Sequence, residues 1–469
     1  MATSLNTLVP SYFARLGLAV SYLWVSLNMP LGAQERPNLV VIMADDLGFG
    51  DLGCYGSEDH KTPNLDRLAS EGVRFLDYHS NGPVCSPTRA ALLTGRYQQR
   101  SGIGGVIYAG FTQNRHHGLQ RSEETFAGIL RRVGYKTAAI GKWHLGYRSI
   151  FNPIHHGFEV FHGYVSGNID YQNHFDRMGV LDWWEGDQVH DRKGYSTHLI
   201  TDFSVAFIDQ HHDRPFCLYV AHEAPHDPFQ GPLDPGFRIS GKVVNEVRSL
   251  SWKKRAYREM VEALDEGVGK ILAALERHGL EENTFVFFCS DNGATRFGSN
   301  GALRNFKGTV WEGGIRVPAI ARWPERIQAG SVCHETILSM DIMPTLLALA
   351  GHAESTKKAL DGESFLPAVT ETGNLSERAL VWEYGERVAV RRGDWKLVGT
   401  RKANEGTLRV SGGLFDLSVD MAEQTDLQKM NPEMVAELRE AYRRWRRDVN
   451  EDATAQPGDD ERMVNPFLK

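Results

Sequence analysis

Two acidic pairs directly follow apolar runs in this sequence. Asp45-Asp46 come after Asn38-Leu39-Val40-Val41-Ile42-Met43, and Asp291-Asn292 come after the run 284–290. In open α/β sheets, sites form outside the carboxyl ends of the strands. Two such pairs converging make a cage of oxygen ligands. Carboxylates that close repel unless a cation sits between them, and all-oxygen ligation suits Ca²⁺ or Mg²⁺. Asp45-Asp46 alone reads equally well as a strand-end turn or helix cap. The second pair, in an equivalent place, favours the metal. A third feature is Cys85, flanked by Pro83 and Pro87, just before the short helical stretch Thr88-Arg89-Ala90-Ala91-Leu92-Leu93-Thr94-Gly95. A helix N-terminus offers free N–H groups and positive potential to an anion. Arg89, on the first turn, is placed to face back towards residue 85. The bland alternative for Cys85 is a buried structural thiol.

Positioning these residues requires a sheet with helices on it. The run 38–43 is fully apolar and β-rich, as in a buried parallel strand. A helix follows, with Thr62 as N-cap, Pro63 at its first position, Leu65, Leu68 and Ala69 inward, and Gly72 as its stop. Val73 to Tyr78 reads as a strand. Ser122 is expected to cap the next helix, with Glu123 and Glu124 in its first turn and Phe126, Ile129, Leu130 and Val133 on one face. Lys136 to Ile140, Phe216 to Ala221 and Thr284 to Ser290 read as further strands. Between the last two, Met260, Leu264, Val268, Ile271, Leu272 and Leu275 form one stripe of a long helix. Alternation of this kind predicts an α/β class: a large, mainly parallel sheet sandwiched by helices. Near residue 370 the pattern changes. Ala389 to Val398 and Leu408 to Leu417 read as short strands, and a helix starts at Asn431-Pro432 with Met434, Leu438, Tyr442 and Trp445 on one face. The expected division is a leader (1–33), a catalytic α/β domain (36–370) and a smaller C-terminal unit of antiparallel sheet plus helix (371–469). Residues 451–469 are polar and expected to be loosely held.

The chain has 469 residues, 41% apolar and 24% charged, ordinary for a soluble globular protein. Its formal net charge of -7 argues against a general nucleic-acid binder. Positive charge for an anionic substrate must therefore be concentrated locally. Arg15, the apolar run Leu16 to Leu27 and Leu31-Gly32-Ala33 resemble a signal peptide, so the protein is expected to be exported, periplasmic or secreted, without stable membrane insertion. The five cysteines are scattered and make no disulfide framework. Cys217 and Cys289 sit in apolar runs and read as buried strand residues.

Cys85-Ser86-Pro87-Thr88-Arg89 and Leu93-Thr94-Gly95-Arg96 resemble the signature of the type I, formylglycine-dependent sulfatases, an alkaline-phosphatase-like fold that includes arylsulfatases and N-acetylgalactosamine-6-sulfatases. Thr88 stands where the signature has Ser, and it keeps the hydroxyl. The resemblance continues through Met43-Ala44-Asp45-Asp46-Leu47-Gly48, Gly141-Lys142-Trp143-His144-Leu145-Gly146, Ala224-Pro225-His226-Asp227-Pro228, Ser290-Asp291-Asn292-Gly293, Lys307-Gly308-Thr309-Val310-Trp311-Glu312-Gly313-Gly314 and Leu414-Phe415-Asp416-Leu417. It implies that a separate maturation enzyme oxidises Cys85 to formylglycine. It implies one Ca²⁺ held by Asp45, Asp46, residue 85, Asp291 and Asn292. Arg89 and Lys142 would hold the formylglycine hydrate and His144 would face it. His226 and Lys307 would contact the sulfate and leaving group.

The physics is consistent with those roles. A sulfate monoester is anionic, so fixed cations must offset the charge that builds up in the transition state. The hydrate would attack sulfur, His226 would protonate the leaving alcohol, and His144 would take the proton that lets sulfate be expelled. The implied activity is sulfate-ester hydrolysis, with a sulfated carbohydrate as the expected substrate. One alternative is a phosphodiesterase or phosphonate monoester hydrolase of the same fold. Another is a non-catalytic carbohydrate-binding protein with Cys85 left as a thiol. Further expectations are secondary. His222 is near enough in sequence to His226 to reach the site. His116, His117, His155, His156, His211 and His212 read as loop residues. Trp183, Trp184, Tyr164 and Tyr171, in an aromatic insertion over roughly 150–200, could stack on sugar faces or, more simply, pack that insertion's own core. Arg391, Arg392 and Trp395 are candidates to border the pocket.

Overall fold

The computed structural model describes Met1 and residues 36–467, apart from 246, 325 and 402–406. The expected leader, 1–33, falls outside the described residues. Every residue of the strands Asn38–Ala44, Phe216–Ala221 and Thr284–Ser290 is buried. Successive side chains alternate between two cores, as the two-residue period of a strand requires. Leu39, Val41 and Met43 pack with Phe126, Ile129, Leu130 and Leu346. Val40 and Ile42 pack with Met260, Leu264, Val268 and Ile271. Both faces are covered by helices, which is why these strands are apolar throughout.

Among the described residues the main sheet has ten strands. Its centre is parallel: Thr284–Ser290, Asn38–Ala44, Phe216–Ala221, Lys136–Lys142 and Val160–Tyr164 lie side by side in that order. Ala319–Arg322 runs antiparallel to Thr284–Ser290 and to Val73–Phe75. The short hairpin Trp184–Glu185 and Gln188–Val189 extends the other edge. The helices Ser196–His211 and Leu250–Arg277 cover one face, and Cys85–Thr94, Phe126–Arg132 and Ile342–Leu349 the other.

Several local expectations are corrected. Val73 to Tyr78 is not one strand: Val73–Phe75 joins the main sheet, while Tyr78–His79 pairs with Ile337–Leu338. Ser122 does not cap the third helix. Thr125 does, its Oγ1 accepting from Gly128 N at 3.1 Å, so Glu123 and Glu124 fall outside the first turn. Of the histidines read as loop residues, His211 is the last residue of a helix and His156 is buried, its ring 5.5 Å from that of Trp143. The first part of the tail, 452–456, is not loosely held. Thr454 N donates to Arg100 O at 2.7 Å, Gln456 Oε1 accepts from Gly118 N at 3.0 Å, and Asp452 pairs with Arg96.

The C-terminal unit is an antiparallel sheet of Ala379–Tyr384, Arg387–Arg392, Trp395–Arg401 and Leu408–Asp416 in simple meander order. Leu438, Tyr442 and Trp445 of the helix Pro432–Glu451 close its core with Trp382, Val390 and Leu397.

Candidate active site

The carboxyl ends of the parallel strands converge on one rim. Asp45 and Asp46 follow Asn38–Ala44, Asp291 and Asn292 follow Thr284–Ser290, and Lys142 is the last residue of its strand. His226 comes from the loop after Phe216–Ala221, and that loop is tied to the rim where Asp45 N donates to Ala224 O at 3.1 Å. Ser290 Oγ links the two acidic turns: it accepts from Leu47 N and donates to Asn292 O, both at 3.1 Å. Asp46 and His144 adopt positive φ, 64° and 55°. For non-glycine residues this costs of order 1–3 kcal/mol each, a strain that clusters at functional sites.

Cys85 is the first residue of its helix, not a loop residue ahead of it. The helix Cys85–Thr94 is buried along its whole length, and Val84 provides no side-chain cap. Thr88 Oγ1 instead ties the helix to the preceding loop, donating to Gly82 O at 2.9 Å and accepting from Gly82 N at 3.1 Å. The hydroxyl is what this position uses, and Thr supplies it. Cys85 Sγ lies 3.4 Å from Asp45 Oδ1 and 3.5 Å from Lys307 Nζ. Lys307 is brought here by its loop, where Gly308 N donates to Pro83 O at 2.8 Å and Lys307 N to Ala294 O at 3.0 Å.

Three anions and three cations interleave. Arg89 donates from Nε and Nη2 to Asp291 Oδ2 at 3.2 and 2.9 Å, and its Nη1 donates to Lys142 O at 3.2 Å. Lys142 pairs with Asp45, and Lys307 with Asp46. Asn292 Nδ2 donates to Asp46 Oδ1 at 2.7 Å. Two buried oxygens, Asp46 Oδ2 and Asn292 Oδ1, have no hydrogen-bond partner. Burial raises the Asp45 carboxyl to about 7, helped by Asp291 and opposed by Lys142 and Arg89. Burial also raises Asp46, against Lys307. Asp291 is lowered, because Arg89 and the two lysines outweigh its burial. Ligand atoms of Asp45, Asp46, Cys85 and His226 all lie within 4.8 Å of one another.

The two histidines are held neutral. Burial, then Lys142, keeps His144 well below its usual range; burial, then Lys307, does the same for His226. His144 Nε2 donates to Ile107 O at 2.9 Å, which leaves Nδ1 with a lone pair and no partner. His226 Nδ1 faces Asp227 O, and its Nε2 is 3.8 Å from Asp46 Oδ2. Gly167 packs on the His144 ring; a Cβ there would come within 2.8 Å of Nε2. A cavity of about 170 Å³ opens over Cys85, His144, His226 and Lys307.

The ten residues singled out in the sequence thus meet in one place. The secondary candidates do not join them. His222 is buried beside Gly267 and His198 of the covering helices, and it does not line the cavity. Arg391 makes a bidentate pair with Asp77, Arg392 pairs with Glu377 and Glu437, and Trp395 packs in the C-terminal unit. Tyr164, Tyr171 and Trp183 are fully buried, but in the core on one face of the main sheet, with Val40, Ile42 and Ile200, and not in a separate core of the insertion; Trp184 is half-buried. Tyr171 has one added link: its hydroxyl donates to His226 O at 3.0 Å. Sequence reasoning missed Ile107, Tyr108, Asn168 and Arg177, which line the cavity from irregular segments. Gly104-Gly105, with no apolar period around it, marks a loop but not its destination.

Residues 37–352 match the Sulfatase family, and residues 304–446 match the family described as N-sulphoglucosamine sulphohydrolase, C-terminal. N-acetylgalactosamine-6-sulfatase of Rattus norvegicus is 36% identical over 399 residues, spanning 78% of this chain and 72% of that protein. Arylsulfatase J of Mus musculus is 32% identical over 459 residues, 86% of this chain and 75% of that one. The crystal structure of Ps i-CgsB in complex with k-i-k-neocarrahexaose superposes with a TM-score of 0.77 at 27% identity, covering 91% of this chain and 96% of that chain.

Proposed function

Because the chain belongs to the sulfatase family and is a sulfuric ester hydrolase, we propose that it removes sulfate from a sulfated carbohydrate, using a formylglycine made from Cys85. One observation carries the mechanism. Cys85 Sγ stands at a buried helix N-terminus between Asp45 Oδ1 and Lys307 Nζ, beside two buried oxygens without partners. Sugar chemistry is supported by the relatives: one is named for an amino sugar, and a solved one holds an oligosaccharide.

Three carboxylates and an amide oxygen, two of their oxygens unpartnered, fit a hard dication. Asp45, Asp46, Asp291, Asn292 and residue 85 would hold Ca²⁺, which supplies positive charge against the sulfate oxygens. Residue 85, as a hydrated aldehyde, supplies two hydroxyls on one carbon, one to attack sulfur and one to expel sulfate, where Ser or Cys would be left as a stable ester.

The chain's own groups do the rest. Arg89, fixed by Asp291 and 3.5 Å from Asp45 Oδ2, is a permanent cation one helical turn beyond residue 85. Lys142 and Lys307 present ammonium groups where negative charge grows. His144 Nδ1, neutral and bare, takes a proton from the residue 85 side. His226 Nε2 lies beside the anionic ester, whose charge offsets Lys307 and favours the imidazolium. It then gives that proton to the leaving alcohol.

Export to the periplasm or outside the cell belongs to the same reading, resting on residues 15–33. No helix among the described residues is long and apolar enough to cross a membrane. The test is free sulfate released from sulfated glycosaminoglycan and algal oligosaccharides, by protein co-expressed with a maturation enzyme. The mass of the peptide containing residue 85 is read on the same sample. Formylglycine with sulfate release is the expected result. A clear preference for matched phosphonate or phosphodiester substrates overturns the assignment, and an unmodified thiol in active enzyme overturns the mechanism.

A further inference from the structure

The cavity over Cys85 is not a blind pocket. It shares Val106 and Tyr108 with a cleft of about 700 Å³ on the side of the C-terminal sheet. It shares Tyr108, Ala109 and Arg177 with a second cleft, of about 430 Å³, on the side of the loop 227–245. Tyr108 lines all three and is 45% exposed, a large ring on the surface where the spaces meet. The cavity over the reactive residue thus has a neighbouring cleft across each of two shared walls.

Each arm carries an exposed cation, Arg387 on one and, on the other, Arg177, which also lines the cavity over Cys85. Arg387 is exposed on the larger arm, beside Tyr384 and Thr400, and its Nη1 donates to Gly308 O at 3.0 Å, one residue from Lys307. Arg177 is exposed on the smaller arm and pairs with Asp227, the neighbour of His226. In a chain with a net charge of -7, each arm sets an exposed arginine beside an acid, Arg387 by Glu386 and Arg177 by Asp227, and the smaller arm adds Arg238. Hydroxyls and ring faces (Tyr108, Tyr384, Thr400) between the cations suit sugar, with hydroxyl edges and apolar faces.

We propose that the three spaces form one groove, which binds a polyanionic oligosaccharide across the site, with at least one sugar residue on each side of the one desulfated. The enzyme then removes sulfate from internal residues of the chain, and Arg387 and Arg177 engage the anionic groups of the flanking residues. This rests on the sulfated-carbohydrate reading above. A pocket built only for chain ends would be closed on one side.

The test uses the matured holoenzyme and hexasaccharides of a galactan and of a glycosaminoglycan backbone, sulfated at every residue. The corresponding sulfated monosaccharides and an aryl sulfate serve as references. The position of each lost sulfate is read by fragmentation mass spectrometry. Loss from internal residues, with kcat/KM on the hexasaccharide at least about tenfold above that on the monosaccharide, is expected, because remote contacts contribute to turnover. In Arg387→Ala and Arg177→Ala that preference narrows by about fivefold each. Both side chains are exposed, so folding is not at stake. Loss confined to one chain end, or equal rates on the monosaccharide, overturns the groove proposal and leaves the carbohydrate reading standing. Turnover of the aryl sulfate with no release from any sugar overturns both.

Discussion

Two of the buried charge clusters among the described residues are built to different rules. One is the catalytic rim. The other lies where the C-terminal sheet meets the main domain, and there every carboxylate oxygen faces a cation or a donor, Glu423 Oε1 doing so through an ion pair without a hydrogen bond. Asp77 takes Arg391 on both oxygens, at 2.9 and 2.7 Å, and Arg316 at 3.2 Å. Glu312 takes Lys396 at 2.7 Å and His79 at 3.0 Å. Glu423 takes the same lysine at 2.8 Å and Glu312 N at 2.7 Å. Burial pushes the Asp77 and Glu312 carboxyls up, but Arg391, Arg316 and His79 around Asp77, and Lys396, His79 and Arg316 around Glu312, together outweigh it and hold both below the usual range; Glu423, which shares its lysine, is raised. At the rim, burial wins for Asp45 and Asp46, and oxygens stay unpartnered. A saturated buried network fixes a structure. An unsaturated one keeps a cost that only a ligand relieves. The difference is one of degree, and together with the cavity that opens over the rim it points to the rim as the site.

The contrast is broken or sharpened most strongly at Cys85. Cys85→Ala is expected to lower sulfatase turnover by on the order of 10⁶-fold, as loss of a nucleophile does. The residue is buried, not peripheral, but alanine keeps the helix and removes one sulfur from a polar pocket. Circular dichroism and the unfolding midpoint should therefore stay close to wild type. Substantial turnover by the variant would sink the mechanism. Arg391→Ala is the mirror image. It leaves buried Asp77 with Arg316 and the Thr336 hydroxyl but without its bidentate partner, and breaking one side of a buried pair costs up to about 3–5 kcal/mol. Denaturant unfolding should show that loss, while kcat of the folded fraction stays within about threefold, a barrier change under 1 kcal/mol. A large fall in kcat at unchanged stability would mean that the two clusters are not separate in function.

Removal of the metal comes next in size. If the unpartnered oxygens await Ca²⁺, chelation should lower the melting temperature, and Ca²⁺ should restore it in a concentration-dependent way. The gain is about 2.7 kcal/mol at a hundredfold excess over Kd. Asp45→Asn/Asp46→Asn should lose that dependence. A melting temperature blind to both chelator and Ca²⁺ would leave the rim as an ion network and no more.

How much of this could be read in the sequence divides along physical lines. Strands such as Asn38–Ala44 were legible because both faces are buried and every residue must be apolar. The start of the third helix was not, because Ser122 and Thr125 are both good caps, and the choice is set by the distant His156 carbonyl, to which Thr125 Oγ1 also donates. The held tail was not legible either: its partners, Arg96, Arg100 and Gly118, lie more than 330 residues away in the chain. In the site, charged residues at strand ends announce themselves by sequence position. The groups that orient them do not. The Ile107 carbonyl that sets the His144 tautomer is a backbone atom, and no residue type signals it.

Tyr171 is the subtlest of these hidden partners, and it tests the contrast at its smallest scale. Its hydroxyl donates to the His226 backbone oxygen from a fully buried position, so it can only be a positioning residue. Tyr171→Phe removes one neutral hydrogen bond, worth about 1 kcal/mol, or about fivefold in rate if all of it bears on the transition state. A general loss of packing would slow every substrate alike. Misplacement of His226 would not, because its proton matters only when the departing oxygen is basic. An aryl sulfate with a strongly acidic phenol should therefore be turned over at the wild-type rate. One with a weakly acidic phenol should slow by about fivefold, steepening the dependence of kcat on leaving-group pKa. Equal slowing of both would reduce Tyr171 to core packing and remove the support for His226 as the acid. A slope that steepens in this variant and again on replacing His226 itself would place the proton donor by chemistry alone.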